Sequence, residues 1–537
     1  MSARLVASRR LRRLATPPLV LALAALLIAA CGGSAAPASA PSTAAGSTAA
    51  PASPKSPTSG DAATSNGAGN GNTARAAAAL RSWPEFGLNP QRSDATNAST
   101  GITAANVGHL HRLRIALPGT VDSSPIYLHG VTVAGAVRDV VLVTTTYGKT
   151  LVIDASDGHV LWTFTPPGYS GWAGSAQITV ASPLADPDRA WVYAASPNGL
   201  IHKLSLADGS EDRSGSWPVS VTRDPTHEKL AAALNIDGPY ILTATGGYFG
   251  DTPPYQGHVV VIERSSGRLV SLFNTLCANR RALQIPSTCS ASDSAILSRG
   301  GPVVEPGGRR ILIDTGNGPW NGTTNFGDSL LELTVPNLQL RQAFTPVDQE
   351  HLNTNDLDLG SSAPALLGDN RVMLAGKDGI MRVLALSRLA GHPPVKPPSG
   401  RHATLGGEVQ QLPTPHGGQL FTAPAVWHHG GHTTVFVADF EGAGAYELRG
   451  GRLKTLWTND IAGTSPIVAG GLLYIYEPGG GGIEVYNPSG SSHPIAKLPG
   501  SPGHWNSPIV VDGQVVEPEG DANEHQLSGT LDLFSVG

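Results

Sequence analysis

The run TGNGPWNG, residues 315–322, places Asn317 between two glycines directly after the apolar stretch RRILID. A dinucleotide loop needs G-x-G-x-x-G between a buried strand and a helix, so that the helix N-terminus faces the pyrophosphate. Here the third glycine, Gly322, comes one residue too late, and PWNGTTNFGDS supplies turn residues where a helix should open. Nucleotide binding is therefore rejected, and Asn317 is left as a polar side chain in a tight turn. WHHGGH (427–432) gathers three histidines, a transition-metal donor set in type. Its place between APAV and TTVFVADF reads instead as a hairpin loop. EPGGGGIE (477–484) is followed by no helix and reads as a flexible turn. Cys277 and Cys289 enclose CANRRALQIPSTC; outside the cytoplasm such a pair is expected to form a disulfide. No C-x-x-C, C-x-x-C-H or H-E-x-x-H occurs, which gives no sign of covalent haem or a zincin site.

What positions these residues follows from composition and repeats. The 537-residue chain has only 14% charged residues but 65 glycines and 43 prolines, which favours many short strands joined by turns. A net charge of -5 without a long basic run argues against a nucleic-acid partner. The N-terminus reads as an export signal over residues 1–30: a basic segment, then PPLVLALAALLIAA, then Cys31. IAAC resembles the bacterial lipobox, which implies cleavage before Cys31, a lipid on its thiol and a membrane as a partner. Residues 31–80, nearly all Ala, Ser, Pro, Gly and Thr, are expected to be a disordered tether. The folded part is assigned to residues 81–537.

From residue 123 a four-strand unit recurs. Its clearest copy is SSPIYLHG…VVLVTTTYGKTLVIDASDGHVLWTF (123–164), and eight copies follow one another to the C-terminus. The last copy ends on its third strand, whereas HLHRLRIALPG (109–119) is a spare strand before the first. Pairing the two closes a ring and removes exposed strand edges. The expected fold is all-β, an eight-bladed propeller of four-stranded antiparallel blades.

The unit resembles the repeat of the pyrroloquinoline quinone (PQQ) quinoprotein alcohol dehydrogenases, with Asp154, Ala155, Gly158 and Trp162 at the positions of its A-x-D-A-x-x-G-x-x-x-W-like pattern. SWPEFGLNPQRSDATN (82–97) is similar to the segment that precedes the propeller in that family. The repeat is shared with non-catalytic propellers such as outer-membrane assembly lipoproteins. The resemblance therefore implies either an alcohol or sugar dehydrogenase, passing electrons to a separate envelope acceptor, or a scaffold for envelope proteins.

In the dehydrogenases a G-N-x-x-P-W-N-like turn supplies an Asn ligand to calcium, and GNGPWN puts Asn317 there, with Trp320 in the same turn. A W-D-x-D-like motif supplies the catalytic Asp; TNDLDLGSSAP places Asp356, and less closely Asp358, at that point. A K-N-G-like turn supplies a Lys to the quinone, matched by Lys377 in AGKDG. The resemblance thus implies PQQ and calcium, with oxygen donors suited to a hard cation, a carboxylate base and a lysine that stabilises charge on the quinone oxygen. The family's Glu ligand has no match in TATGGYFGDTPPYQG (243–257), where Asp251 is the available carboxylate. The adjacent-cysteine pair is absent. Trp172, Trp320 and Trp505 are the candidates for the tryptophan under the cofactor ring.

Overall fold

Alternating apolar residues and glycine-bearing turns resolve into eight four-stranded antiparallel sheets, each sequential except the last. The structure, a computed structural model, describes residues 79–248, 250–390 and 405–537. The expected signal (1–30), Cys31 and all but the last two residues of the expected tether (31–80) lie outside these. Ala79 and Leu80 pair with Ser99 in the described part.

The innermost strands of blades 1 to 8 are, in order, Ile126–Val133, Leu184–Ala185, Asn235–Asp237, Val303–Val304, Ala365–Gly368, Ala425–His429, Ile467–Ala469 and Ile509–Val511. Blade 8 continues through Gln514–Glu519 and Gly529–Ser535, and its outermost strand is His111–Leu117, in register from His111 opposite Ser535 to Leu117 opposite Gly529. This is the ring closure expected from the spare strand, and it leaves the eighth blade without an unpaired edge there.

Core residues lie between blades rather than within one. Val140, Leu142 and Val152 of blade 1 pack with Ala185, Val192 and Leu204 of blade 2, all almost fully buried. Trp162 covers this seam and donates its Nε1–H to Leu206 O at 3.0 Å. The Gly209 Cα faces that ring so closely that a Cβ would stand 2.6 Å from it. The histidine run forms the expected hairpin: strands Ala425–His429 and His432–Ala438 meet at Gly430 and Gly431, both with positive φ. Cys277 and Cys289 are disulfide-bonded. One short helix, Gln349–Thr354, stands in the blade 4 to blade 5 connection, where sequence periodicity gave no helix.

The segment before the propeller has a definite task. Trp83 and Tyr127 exchange two backbone hydrogen bonds of 2.8 Å, and Ala185, Val304, Val426 and Val468 donate to Pro84, Pro90, Ser93 and Asp94. The segment thereby crosses from blade to blade over their innermost strands. Phe86 fills a small apolar cluster with Ala233, Ala363 and Ala423. The fully buried Arg92 ties this crossing together, donating to Gly300 O (2.9 Å), Phe86 O (2.6 Å), Leu234 O (2.8 Å) and Glu85 Oε2 (2.9 Å). Backbone carbonyls that would otherwise be orphaned are satisfied by one guanidinium.

Candidate functional site

The repeats build a ring of side chains around the axis. Four residues before the first residue of each innermost strand stand Asp122, Val180, Ala231, Arg299, Ser361, Phe421, Gly463 and Trp505. All but Gly463 line one cavity of about 250 Å³. The chain is extended on entering the strand, so residues two positions earlier face the same way. Ile178, Lys229 and Leu297, each six residues before the strands of blades 2, 3 and 4, accordingly line it too. The mouth is completed by loops joining the second and third strands of blades 3, 5 and 8, which bring Tyr248 and Asp251, Lys377, and Asn523.

One side of the cavity is acidic. Asp356 and Lys377 line it, and Lys377 Nζ lies 3.1 Å from Asp356 Oδ1 and 2.5 Å from Asp358 Oδ2. The Asp358 side chain is fully buried while that of Asp356 is 59% exposed. Asp358 Oδ1 accepts the backbone N–H of Asn317 at 2.7 Å, and Asp358 O accepts that of Lys377 at 3.0 Å. The paired glycine turns seen in the sequence make this approach feasible: a Cβ on Gly316 would stand 2.1 Å from Asp358 Oδ1. Burial raises the Asp358 carboxyl above its ordinary value, and the Lys377 charge offsets this only in part. The Asn317 carbonyl accepts from Ser294 N at 2.6 Å, whereas its side-chain Oδ1 is buried with no donor. Asp251 Oδ1 accepts from the Tyr255 hydroxyl at 2.9 Å. Neighbouring Asp293 is raised by burial and by the Asp251 charge.

The opposite side is basic and aromatic. Arg299 Nη2 reaches Asp122 Oδ1 at 3.2 Å, joining ring positions of blades 4 and 1, and Nη1 donates to Asp122 O. Asp122 Oδ2 also accepts from His504 Nδ1 at 2.7 Å and from Ala522 N–H at 3.1 Å. Burial alone would raise this carboxyl, but Arg299, His504 and the Ala522 amide hold it below the usual carboxylate range. The Trp505 indole stacks with His504 (centroids 3.8 Å apart) and with Phe421 (4.6 Å), and the Arg299 guanidinium lies 5.1 Å from its ring. Lys229 is different: its Nζ has no hydrogen bond or ion pair among the described residues. Burial, and then the Arg299 charge, push its ammonium down to about 8.

Of the sequence-derived set, Asp251, Asp356 and Lys377 share the cavity wall, and Asn317 and Asp358 are joined directly behind it. Trp320 pairs with Phe326 in its own loop and is not part of the wall. Trp172 donates to Tyr147 O and packs beside Ile178 and Val180, whereas Trp505 is on the wall itself. Among the described residues, three His, Cys, Asp or Glu side chains with ligand atoms within 4.8 Å of one another occur at Asp122–His504–Asp521 and at His129–Asp139–Asp512. Asp251, Asp356 and Asp358 are not drawn that close; between Asp356 and Asp358 the lysine ammonium is the counter-ion. Sequence reasoning missed Lys229, Arg299, Asp122, His504 and Phe421. The signal was the constant offset from each innermost strand, legible only when all eight copies are aligned on the strand start.

Residues 97–318 match the family model PQQ_2, described as "Outer membrane protein assembly factor BamB". No curated protein matches the chain. Among solved structures, quinohemoprotein alcohol dehydrogenase from Comamonas testosteroni superposes with a TM-score of 0.61 at 14% identity, over 85% of this chain and 81% of that one. The quinohemoprotein alcohol dehydrogenase ADHIIG of Pseudomonas putida HK5 gives 0.60 at 13% identity, over 85% and 80%. A europium-containing methanol dehydrogenase gives 0.61 at 14%, over 85% and 98%. At these identities the likeness is one of fold. Eight four-stranded blades and closure of the ring through blade 8 make this chain an eight-bladed β-propeller, and its residues 97–318 are similar to the PQQ_2 family.

Proposed function

We propose that the cavity binds PQQ with a calcium ion, and that the protein is an extracytoplasmic dehydrogenase of alcohols or sugars, anchored through lipidated Cys31. The observation that carries this reading is Asn317 Oδ1, a buried amide oxygen that no donor reaches, on the residue whose backbone N–H is held by the Asp358 carboxylate. Leaving such an atom unsatisfied costs about 1–3 kcal/mol, a penalty that a bound cation would remove. The donors are all oxygen, the type a hard cation requires. Asn317, Asp356 and Asp358 would hold the ion, with Asp251 from blade 3 in place of a Glu. PQQ, when bound, supplies the hydride acceptor, and calcium polarises its carbonyl.

The chain's own residues have separate tasks in this scheme. Asp356, exposed on the wall, takes the proton of a substrate hydroxyl at its carboxylate. Asp358 is held by the Asn317 amide and orients Lys377. Lys377 Nζ, fixed by two carboxylates, is placed to donate to an acceptor oxygen in the cavity. Trp505 offers the aromatic surface for a planar ligand, and the apolar arc of Ile178, Val180, Ala231 and Leu297 excludes water.

The test is retention of cofactor: purified protein is mixed with micromolar PQQ and calcium, passed over a desalting column, and read by quinone absorbance and by dye reduction with an alcohol panel. Retention with alcohol-dependent dye reduction supports the proposal; loss of all cofactor on the column overturns it. A second reading, a non-catalytic scaffold for envelope proteins, is favoured by the description of the matching family model and by the missing Glu in the blade 3 loop. In that case Asn317, Asp356 and Lys377 are turn residues, and their alanine variants leave partner capture unchanged. The anchor is tested separately: Cys31→Ser should shift the protein from the membrane to the soluble fraction.

A further inference from the structure

The short helix Gln349–Thr354 carries a buried amide at its first residue. The Gln349 side chain is polar yet the residue is only 7% exposed, so its donors must find partners inside the protein. A primary amide nitrogen has two N–H groups, and Gln349 Nε2 donates to Gly318 O at 2.9 Å and to Asp328 Oδ2 at 3.3 Å. Gly318 follows Asn317 in the turn behind the cavity wall. Its carbonyl is so enclosed that a Cβ on Gly327 would stand 2.0 Å from the oxygen. Asp328 is fully buried, and its Oδ1 accepts the Leu359 N–H at 3.2 Å. Leu359 follows Asp358, whose Oδ1 accepts the Asn317 N–H at 2.7 Å. These contacts close a circuit from Asn317 through Gly318, Gln349, Asp328, Leu359 and Asp358 back to Asn317. With Gln349 removed, the single bond between Asp358 and the Asn317 amide would be left to fix the turn against the next segment.

The same helix start reaches the Lys377 turn. Asp348 Oδ1 lies 3.9 Å from Nη2 of the buried Arg382, which holds Asp378 Oδ2 at 2.6 Å, and Asp378 adjoins Lys377. After the helix, the Leu357 N–H returns to Leu352 O at 3.0 Å, so the chain passes from Gln349 to Asp358 within one compact stretch.

We infer that Gln349 is a positioning residue of the acidic side: it locks the Asn317 turn to the Asp358 segment, so that their oxygens are set before any ion arrives. The inference rests on the reading that these oxygens hold a cation, and it adds a residue placed behind them rather than among them. A neutral amide suits the task. It satisfies the Gly318 carbonyl and the Asp328 carboxylate without bringing in a positive charge that would compete with a cation for the carboxylates.

Gln349→Met keeps much of the side-chain volume and removes both donors. Two quantities are read on wild type and variant. One is calcium affinity by titration calorimetry. The other is hydrogen exchange by mass spectrometry in the ion-free protein, comparing the turn at 315–320 with the preceding strand Arg310–Asp314. Opening the circuit should speed exchange in the turn by at least about tenfold and leave the strand unchanged. Calcium should bind roughly 10- to 100-fold more weakly, the usual effect of removing a group that orients a metal ligand. Unchanged exchange in the turn, or calcium bound as tightly as by wild type, overturns the positioning role while leaving the cation reading standing. Equal acceleration in turn and strand marks a general loss of stability and overturns it as well. No calcium bound by wild type overturns the cation reading, and the positioning role with it. Should Gln349→Met fold poorly, wild type answers alone: exchange in a turn that is already set should slow by less than about tenfold when calcium is added. Slowing beyond that shows a turn ordered by the ion and counts against the inference.

Discussion

Replacing Arg92 by Met tests the claim that the segment before the propeller holds the blades together. The side chain is fully buried and makes four hydrogen bonds, three to the carbonyls of Phe86, Leu234 and Gly300 and one to the Glu85 carboxylate. Methionine keeps much of the volume but no donor. Breaking a buried ion pair by removing one partner costs about 3–5 kcal/mol, and each carbonyl left without a donor adds about 1 kcal/mol after partial relaxation. The expected loss is about 6–8 kcal/mol in urea denaturation, seen as a lower midpoint with unchanged slope. The double variant Arg92→Met with Glu85→Gln should recover about 2 kcal/mol, because the stranded charge is gone while the carbonyls remain unsatisfied. Gly300 adjoins Arg299 on the cavity ring, so ligand affinity should fall with stability. A loss below about 1 kcal/mol, or no recovery in the double variant, would refute the reasoning.

Asn317→Ala should keep wild-type stability within about 1 kcal/mol, since its Oδ1 has no donor to lose, yet weaken calcium affinity by at least about tenfold in a calcium-electrode titration. Gly316→Ala should cost about 2–3 kcal/mol by denaturant titration, because its Cβ would stand 2.1 Å from a carboxylate oxygen with no room to retreat. Lys229 gives a pH signature. Its folded ammonium is pushed down to about 8 from 10.5, so the unfolded chain binds the proton more tightly and the burial penalty, present in full below pH 8, is relieved as pH rises. Wild type should gain about 2 kcal/mol over Lys229→Met between pH 8 and pH 10, allowing for partial solvent access; a flat difference rejects the assignment.

How much was legible in the sequence follows from what each feature depends on. Blade number and ring closure depend on strand periodicity and a spare strand at 109–119, both plain in the chain. The grouping of Asn317, Asp358 and Lys377 was reachable because each sits in a glycine turn or just before an innermost strand. Which carboxylate is buried was not: Asp356 and Asp358 differ by two positions, and only the close approach of the Gly316 backbone decides that Asp358 goes inside. Lys229 and Arg299 escaped because their neighbours in the ring are Ile, Val, Leu and Ala, so identity carries no pattern and register alone marks them. The short helix Gln349–Thr354 was missed because one turn and a half leaves no periodicity to read.

The central claim is that the cavity receives a cofactor at the orphaned amide oxygen. Its most direct measurement is a crystal structure of the protein soaked with calcium and PQQ. The account predicts a cation against Asn317 Oδ1 and the Asp356 and Asp358 carboxylates, with a planar ring beside Trp505. An empty cavity at saturating cofactor, or a cofactor seated elsewhere with Asn317 Oδ1 still without a partner, would contradict it.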